Sequence, residues 1–452
     1  MNKTYRDWSP NQAYIFPPSP QDWLPEDDLV YFLLDTVATL DLTPIFAHYE
    51  RELRGQPPFH PRMMVALLLY CYATGTRSSR RIMRRCRADV GCRIIVGDDI
   101  PDFRTISDFR KTHLTQLETL FVDVLKLCAL AGLVKVGTIA LDGTKVKANA
   151  SRHKAMSYER MQEEEKRLKE EVARLLAEAE AADANEDAAH GPDRSGEELP
   201  EELARRQSRL AKIQQAKAEL EERARREGAE DAARRQAEGK APAATAPADA
   251  VPEPKDQINF TDPESRIMKT SNKGWDQCGN AQAVANEAQI ILAADVTDQA
   301  NDKRRAVPMM DQARENLDAV GVETAIGAGL MDSGYYSETN TADLEERGID
   351  PYVATERLKH NEDIPPMPRG RIPKDLSAKQ RMARKLRTKK GREKYAKRKG
   401  IIEPIFGQLK QVLGFRQFSL RGLAAMRSEW RLLCTVHNLL KLWRHAQVAV
   451  AG

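Results

Sequence analysis

Residues 155 to 255 form an Ala/Glu/Arg-rich, strongly polar block inside a segment that otherwise reads as short strands. A fold built on this chain must let strands on either side of the block meet although about a hundred residues separate them. Within the block, Met161, Leu168, Val172, Leu175 and Ala179 fall on one heptad seam, and Leu203, Leu210, Ile213, Leu220 and Ala224 fall on another. The breaker Ala184 to Pro200, with Gly191-Pro192 and Ser195-Gly196, separates the seams and predicts two antiparallel coiled-coil helices. The stretch Gly228 to Pro254 then reads as a flexible Ala/Pro linker.

Around the block the hydrophobic period changes twice. Residues 28 to 135 have helical spacing: Leu29, Phe32, Leu33 and Val37 share a face, Pro61 opens the run Met63 to Thr74, and Gly75 ends it. The cation-dense stretch Arg77 to Arg87 follows as a second helix of a helix-turn-helix-like pair, either a solvated face or a DNA contact. From Val136 the apolar runs are short and end in turn residues: Val136 to Asn149, Ala281 to Asn286, Ile290 to Val296, Ala325 to Tyr336 and Pro351 to Thr355, with a helix from Lys303 to Leu317 between the third and fourth. This is the pattern of an α/β segment. Helical spacing returns with Pro404 at a first-turn position and an apolar stripe from Ile405 to Leu413, and a last helix runs from about Leu423 to Arg444.

The charge is uneven. The chain has 71 Lys+Arg against 67 Asp+Glu, yet a basic loop from Lys374 to Lys399 carries eleven cations between those two ends, against two acids, Asp375 and Glu393. Phosphate responds to such a local field rather than to the net charge. The 31% charged fraction exceeds the roughly 25% of an ordinary soluble domain, in keeping with the polar block. Six scattered cysteines, with no C-x-x-C pair and no metal-ligand spacing to the eight histidines, predict a reduced protein without structural zinc. The N-terminus has no apolar signal region, and the run Met63 to Tyr70 is too short to span a bilayer, so a cytoplasmic protein is expected.

Two aspartates stand alike. Asp142 follows the apolar run Thr138 to Leu141 and precedes Gly143; Asp332 follows Ala325 to Met331 and precedes Ser333-Gly334. Each lies at the end of a buried strand or in the turn after it, where Asp-Gly and Asp-Ser-Gly are also ordinary turn residues. Glu403 and Lys410 are seven residues apart, two helical turns, and so share a helix face, with Tyr395 and Arg398 preceding them in the basic loop.

Taken together, Leu141-Asp-Gly-Thr-Lys145, Met331-Asp-Ser-Gly-Tyr-Tyr336 and the set Tyr395, Arg398, Glu403 and Lys410 resemble the DDE transposases of bacterial insertion sequences. Phe103 to Arg110, Thr261 to Arg266 and Cys434 to Lys441 match in style, and four residues stand between Arg398 and Glu403 where the usual signature has three. The resemblance implies a ribonuclease H-like mixed sheet, with the first aspartate on the first strand, the second just after the fourth, and the glutamate on a late helix. It implies catalysis and metal binding by Asp142, Asp332 and Glu403, with two Mg2+ ions (or Mn2+) per site. Tyr395, Arg398, Lys410, Lys145, Lys147, Lys389, Lys390 and Arg392 are the expected DNA-binding residues. The partners implied are double-stranded DNA, as terminal inverted repeats and target, and a second copy of the chain on that DNA; the setting is the bacterial nucleoid, with no membrane.

The expected organisation is an α-helical, DNA-end-binding domain at 1–135, a first catalytic strand at 136–154, the coiled-coil insertion and linker at 155–255, and the rest of the catalytic core at 256–452. Two other readings stay open: a ribonuclease H-like nuclease with the same site, and a non-catalytic DNA-binding or assembly protein that works through its coiled coil.

Overall fold

The computed structural model describes residues 20–51, 56–97, 99–190, 201–237, 239, 241–243, 245–270, 274–356, 367–368, 373 and 375–451. The extreme N-terminus, the Gly191-Pro192 and Ser195-Gly196 breakers, and Lys374 lie outside them.

The N-terminal helices are α1 (Leu29–Thr39), α2 (Thr43–Glu50), α3 (Pro61–Ala73), α4 (Ser79–Ala88), α5 (Val90–Val96), α6 (Phe103–Thr112) and α7 (Leu114–Leu130). Pro61 opens α3 with its φ already fixed for a helix, and Gly75, at φ +77°, carries the chain out of it. Leu29, Val30, Leu33 and Val37 bury one stripe of α1.

The strands are β1 (Thr138–Lys147), β2 (Ala155–Ser157), β3 (Gln257–Asn259), β4 (Arg266–Lys269), β5 (Trp275–Asn286), β6 (Ile291–Thr297), β7 (Ala328–Met331) and β8 (Asp350–Val353). The main sheet runs β4-β5-β1-β7-β8, with β6 also on β5. Pairing is antiparallel for β1 with β5 and for β5 with β4 and β6, and parallel for β1 with β7 and β7 with β8. Between β6 and β8 the chain forms α10 (Ala306–Ala319) and α11 (Glu338–Glu346), the connections that parallel strands require.

The polar block forms α8 (Tyr158–His190) and α9 (Glu201–Ala237). Glu165 meets Lys217 at 2.9 Å and Glu171 meets Arg206 at 2.6 Å, so the helices are antiparallel. Met161, Leu168, Ile213 and Leu220 are buried between them with Tyr158, Ala216 and Ile258, a small core separate from the main one. At its neck β2 pairs antiparallel with β3, Ala155 opposite Asn259, which returns the chain beside its exit point. The linker reading of Gly228 to Pro254 is corrected: α9 runs through Gly228 to Ala237, and the later segment folds back so that Pro247 and Ala250 lie against Gly228, where a methyl group would come to 3.2 Å from the Ala250 side chain.

The C-terminal part comprises α12 (Ala378–Arg387), α13 (Lys389–Gly407), a π-turn at Gln408–Val412 and α14 (Leu423–Ala451). The segment expected as a basic loop is therefore largely helical. Ser377 and Gln380 form a reciprocal capping box, and Thr388 caps α13 through Gly391 N–H, so short polar side chains start two helices inside the cationic run. Pro404 lies inside α13 rather than in a first turn. It has no N–H for the Gly400 carbonyl, and that carbonyl instead accepts from Gln289 Nε2 at 2.8 Å.

α14 packs along α7, α3 and β6. One continuous core, from Leu29 to Leu440, joins the N-terminal helices to the sheet, so the boundary expected at residue 135 separates sequence patterns and not two cores. No single helix among the described residues is long and apolar enough to cross a membrane. All six cysteines are free and buried.

Candidate active site

Asp142 is not at a strand end or in a turn. β1 continues through Asp142-Gly143 to Lys147, and Asp142 faces Ala283 of β5. On its other side the parallel pairing with β7 stops at Leu141 opposite Met331, so Asp142 and Asp332 are the next residues on adjacent strands at one level. Asp332 then caps a short 3-10 turn, its Oδ1 accepting from Gly334 N–H at 2.9 Å.

α13 brings the third element. Arg398 Nη1 donates to Asp142 Oδ2 at 2.8 Å, and its Nη2 lies 3.9 Å from Glu403 Oε1. One guanidinium thus reaches both carboxylates, while its Nε is buried without a partner and its Cζ lies 5.9 Å from the Tyr395 ring centroid. Burial pushes the Asp142 carboxyl up to about 6; Arg398 opposes this and the Asp332 charge adds to it. Burial likewise raises the Tyr395 hydroxyl, offset by Arg398. Glu403 is 54% exposed, and among the described residues no three His, Cys, Asp or Glu side chains converge closely enough to hold a metal ion as the site stands.

Glu403 and Lys410 do not share a simple helical face, because the π-turn begins between them and rotates the residues after it. Lys410 Nζ donates to Thr144 Oγ1 and, at 3.1 Å, to the Lys145 carbonyl, which places it on β1 beside the aspartates; burial lowers its proton affinity. Lys145 and Lys147 are engaged by acids, Asp302 at 3.3 Å and Asp276 at 2.9 Å. Lys389 and Lys390 are exposed in the first turn of α13, away from Asp142, and Arg392 lines a separate cavity of about 800 Å³ with Tyr395.

Sequence reasoning missed the polar layer behind the aspartates. Asp302 Oδ1 accepts from Asn280 Nδ2 at 2.6 Å, Gln282 Nε2 at 2.9 Å and Lys145 Nζ at 3.3 Å, and Tyr335 donates its hydroxyl to Gln282 Oε1. This layer approaches the backbone at Gly143, where a Cβ would come within 2.3 Å of Gln282 Nε2 and 3.0 Å of Asp302 Oδ1. The signal was present: Asn280, Gln282 and Asn286 are polar residues on one face of a buried strand, and each is fully enclosed.

The three further motifs are structural where they are seen. Arg110 of Phe103–Arg110 is buried and donates to Tyr72 Oη at 3.0 Å, the Arg77 carbonyl at 2.8 Å and Ser79 Oγ at 2.8 Å. In Thr261–Arg266, Glu264 accepts from Leu423 N–H at 2.7 Å, at the start of α14. In Cys434–Lys441, Asn438 both accepts from Ile291 N–H and donates to the Ile291 carbonyl, each at 2.9 Å.

Paired carboxylates at adjacent strands beside a cationic helix pair are chemically suited to a phosphate-bearing chain. The comparisons narrow that chemistry to a family. Residues 18–112 match the family model described as a transposase domain (DUF772), and residues 249–439 match the transposase DDE domain. The chain belongs to the DDE transposases of the insertion-sequence type, which are polynucleotidyl-transferase-type enzymes that act on DNA and generally use divalent metal ions. Asp332 and Glu403 lie within the second match, and Asp142 lies between the two. No curated protein and no solved structure matches the chain.

Proposed function

We propose that Asp142, Asp332 and Glu403 act as the DDE triad, cutting DNA at the ends of the element and joining the freed 3′-hydroxyl to target DNA. The observation that carries this reading is the level placement of Asp142 and Asp332 on adjacent parallel strands, with Arg398 reaching from Asp142 to Glu403. The strand order supports a ribonuclease H-like core. With β2, β3 and β4 set aside, β1, β5, β6, β7 and β8 are first to fifth, which puts Asp142 on the first strand, Asp332 just after the fourth and Glu403 on a late helix.

The donor set fits a hard cation. The three acids offer oxygen alone, and the Arg398 guanidinium already holds positive charge between two of them, the kind of position Mg2+ or Mn2+ takes. Bound divalent ions, two per site in this reading, would supply charge that activates the attacking oxygen and stabilises the leaving one. Asp142, raised to about 6, is ionised above that pH, and Arg398, with Tyr395 beside its guanidinium, is freed for a DNA phosphate once the acids hold an ion. Lys410, held against β1, positions the strand beside the aspartates. Lys145 and Lys147 alternate with Asp142 and Thr144 along β1 and project to its other face, towards Asp302 and Asp276, so a backbone contact by them would lie off the catalytic face. Lys389, Lys390 and Arg392 crowd the first turn of α13, which carries no acid; cations there oppose the helix dipole, and a phosphate backbone relieves that repulsion. The N-terminal helices are read as the end-binding part, and two chains assemble on two ends.

Incubating the full chain and Mg2+ with a labelled duplex carrying the element's terminal repeat, plus a supercoiled plasmid, tests the reading. Labelled duplex covalently joined to plasmid is expected. Cutting without joined product would instead identify a nuclease of the same fold.

A further inference from the structure

A cleft of about 850 Å³ lies between the N-terminal helices and the segment after the π-turn, lined on one side by α4 and α6 and on the other by Asn149 and Gln417 to Ser419. Its charge is one-sided. Six cations line it, and the acid among its lining residues is Asp108, which sits 3.8 Å from Lys111. Arg80, Arg81 and Arg104 are exposed and, among the described residues, meet no carboxylate. Arg80 and Arg104 both lie against the Phe103 ring, at 4.6 and 5.5 Å from its centroid, so one phenyl group holds two guanidinium groups that would otherwise repel.

A further feature favours an anion in a cleft already lined by cations unpaired among the described residues. Ser78, the N-cap of α4, makes no side-chain cap, which leaves the first-turn N–H groups of a ten-residue helix at the cleft wall. Arg110, 5% exposed, spends both terminal nitrogens on Tyr72, Arg77 and Ser79 and so fixes the cleft floor, with the buried Glu429 acting on it and on Arg77 from the far side. Arg77 closes the join by donating to the Leu413 and Gly414 carbonyls at 2.6 and 2.7 Å, so helices and catalytic half meet the same ligand as one surface.

We propose that this cleft grips the phosphodiester backbone of the DNA that enters the active site. β1 runs from Asp142 towards it, and Asn149 at its wall is seven residues on, roughly 20 Å at strand rise. That span corresponds to about six base pairs of duplex. Lys410, on Thr144 and Lys145, stands between the two ends. The donors are guanidinium edges and helix N–H groups, which match phosphate oxygens, so the grip is the same for every sequence. The inference rests on the transposase reading for its distance to the reaction and on its own residues for its chemistry.

The test is binding of the full chain, in EDTA so that nothing is cut, to a fluorescein-labelled random-sequence duplex, followed by anisotropy across a range of NaCl concentrations. Arg80→Ala/Arg104→Ala is expected to lose about ten-fold in affinity and to flatten the slope of log K on log salt by about 2, as two lost phosphate contacts require. Arg84→Ala/Arg87→Ala, exposed on the same helix but outside the cleft, is the control and is expected to change affinity less than about two-fold. Equal losses in both variants, or an unchanged slope in the first, would overturn the proposal. A thermal shift of wild type by inorganic phosphate at matched ionic strength, absent in the Arg80/Arg104 variant whose DNA affinity is unchanged, would make the cleft a free-anion site and also overturn it. The catalytic reading is scored separately by wild-type cleavage with Mg2+. Cleavage together with a variant that binds like wild type sinks the cleft alone, and cleft-dependent binding without cleavage sinks the triad alone.

Discussion

Arg398 is the residue at which the candidate site is organised, and its role follows from burial. Asp142 is largely enclosed, a lone carboxylate there is costly, and the guanidinium at 2.8 Å offsets that cost. Asp142, Asp332, Arg398 and Glu403 were legible through the resemblance of their motifs to a known family, since each acid taken alone also reads as an ordinary turn or surface residue. The polar run Asn280, Gln282 and Asn286 signals a buried layer, but its partner Asp302 sits in the loop before α10 and meets β5 only through tertiary folding. The same helix that closes the chain buries His437, whose Nε2–H donates to the Gln289 carbonyl at 2.8 Å. Burial lowers its pKa to about 4, with the Gln289 bond opposing and Lys441 and Arg444 adding to the shift. The fold therefore holds the neutral ring, and its stabilisation is full above about pH 6.5, where the unfolded chain is also neutral, and is lost as pH falls towards 4. Chemical denaturation at pH 7 and pH 4.5 should show wild type losing on the order of 2 kcal/mol more than His437→Gln. Parallel losses in the two proteins would remove His437 as the titrating group.

Helices and strands were legible where the apolar period was strong, as in α1, α3, β6 and the seams of α8 and α9. Three elements were not. β1 continues through Asp142-Gly143, a pair that locally suggests a turn, because pairing with β5 on one side outweighs turn preference. α13 accommodates Pro404 because Gln289, at φ +62°, supplies the donor that the proline lacks. The cationic run becomes helical through two side-chain caps whose effect needs the following residues to pack. The hairpin of α8 and α9 has its own small core and a β2–β3 neck, which makes it separable by length. Replacing residues 174 to 203 with a short Gly-rich turn keeps the Glu165–Lys217 contact and the neck. The shortened chain is expected to unfold cooperatively within about 3 °C of wild type and to retain metal-dependent nicking. Insolubility or loss of a cooperative transition would show that the distal hairpin supports the main core.

At the scale of the whole molecule, the N-terminal helices and the sheet act as one body because α14 lies across both and a single core fills the join. The sequence pattern divided these regions at the change of period, yet packing unites them, since neither α7 nor β6 can cover its apolar face without α14. This union places the cationic cleft and the carboxylates on one rigid surface, with β1 as the ruler between them. The claim on which the rest depends is that Asp142, Asp332 and Glu403 form one catalytic unit. Asp142→Ala, Asp332→Ala and Glu403→Gln, each compared with wild type for Mg2+-dependent cleavage and joining of end-bearing duplex, test it most directly, with DNA affinity measured in parallel. Each variant is expected to fall below about 10% of wild-type cleavage while binding DNA within a few-fold of wild type, because loss of a catalytic carboxylate removes transition-state stabilisation and leaves the cationic contacts intact. Cleavage above that level in any one of the three, with DNA binding unchanged, would contradict the claim and remove that residue from the site.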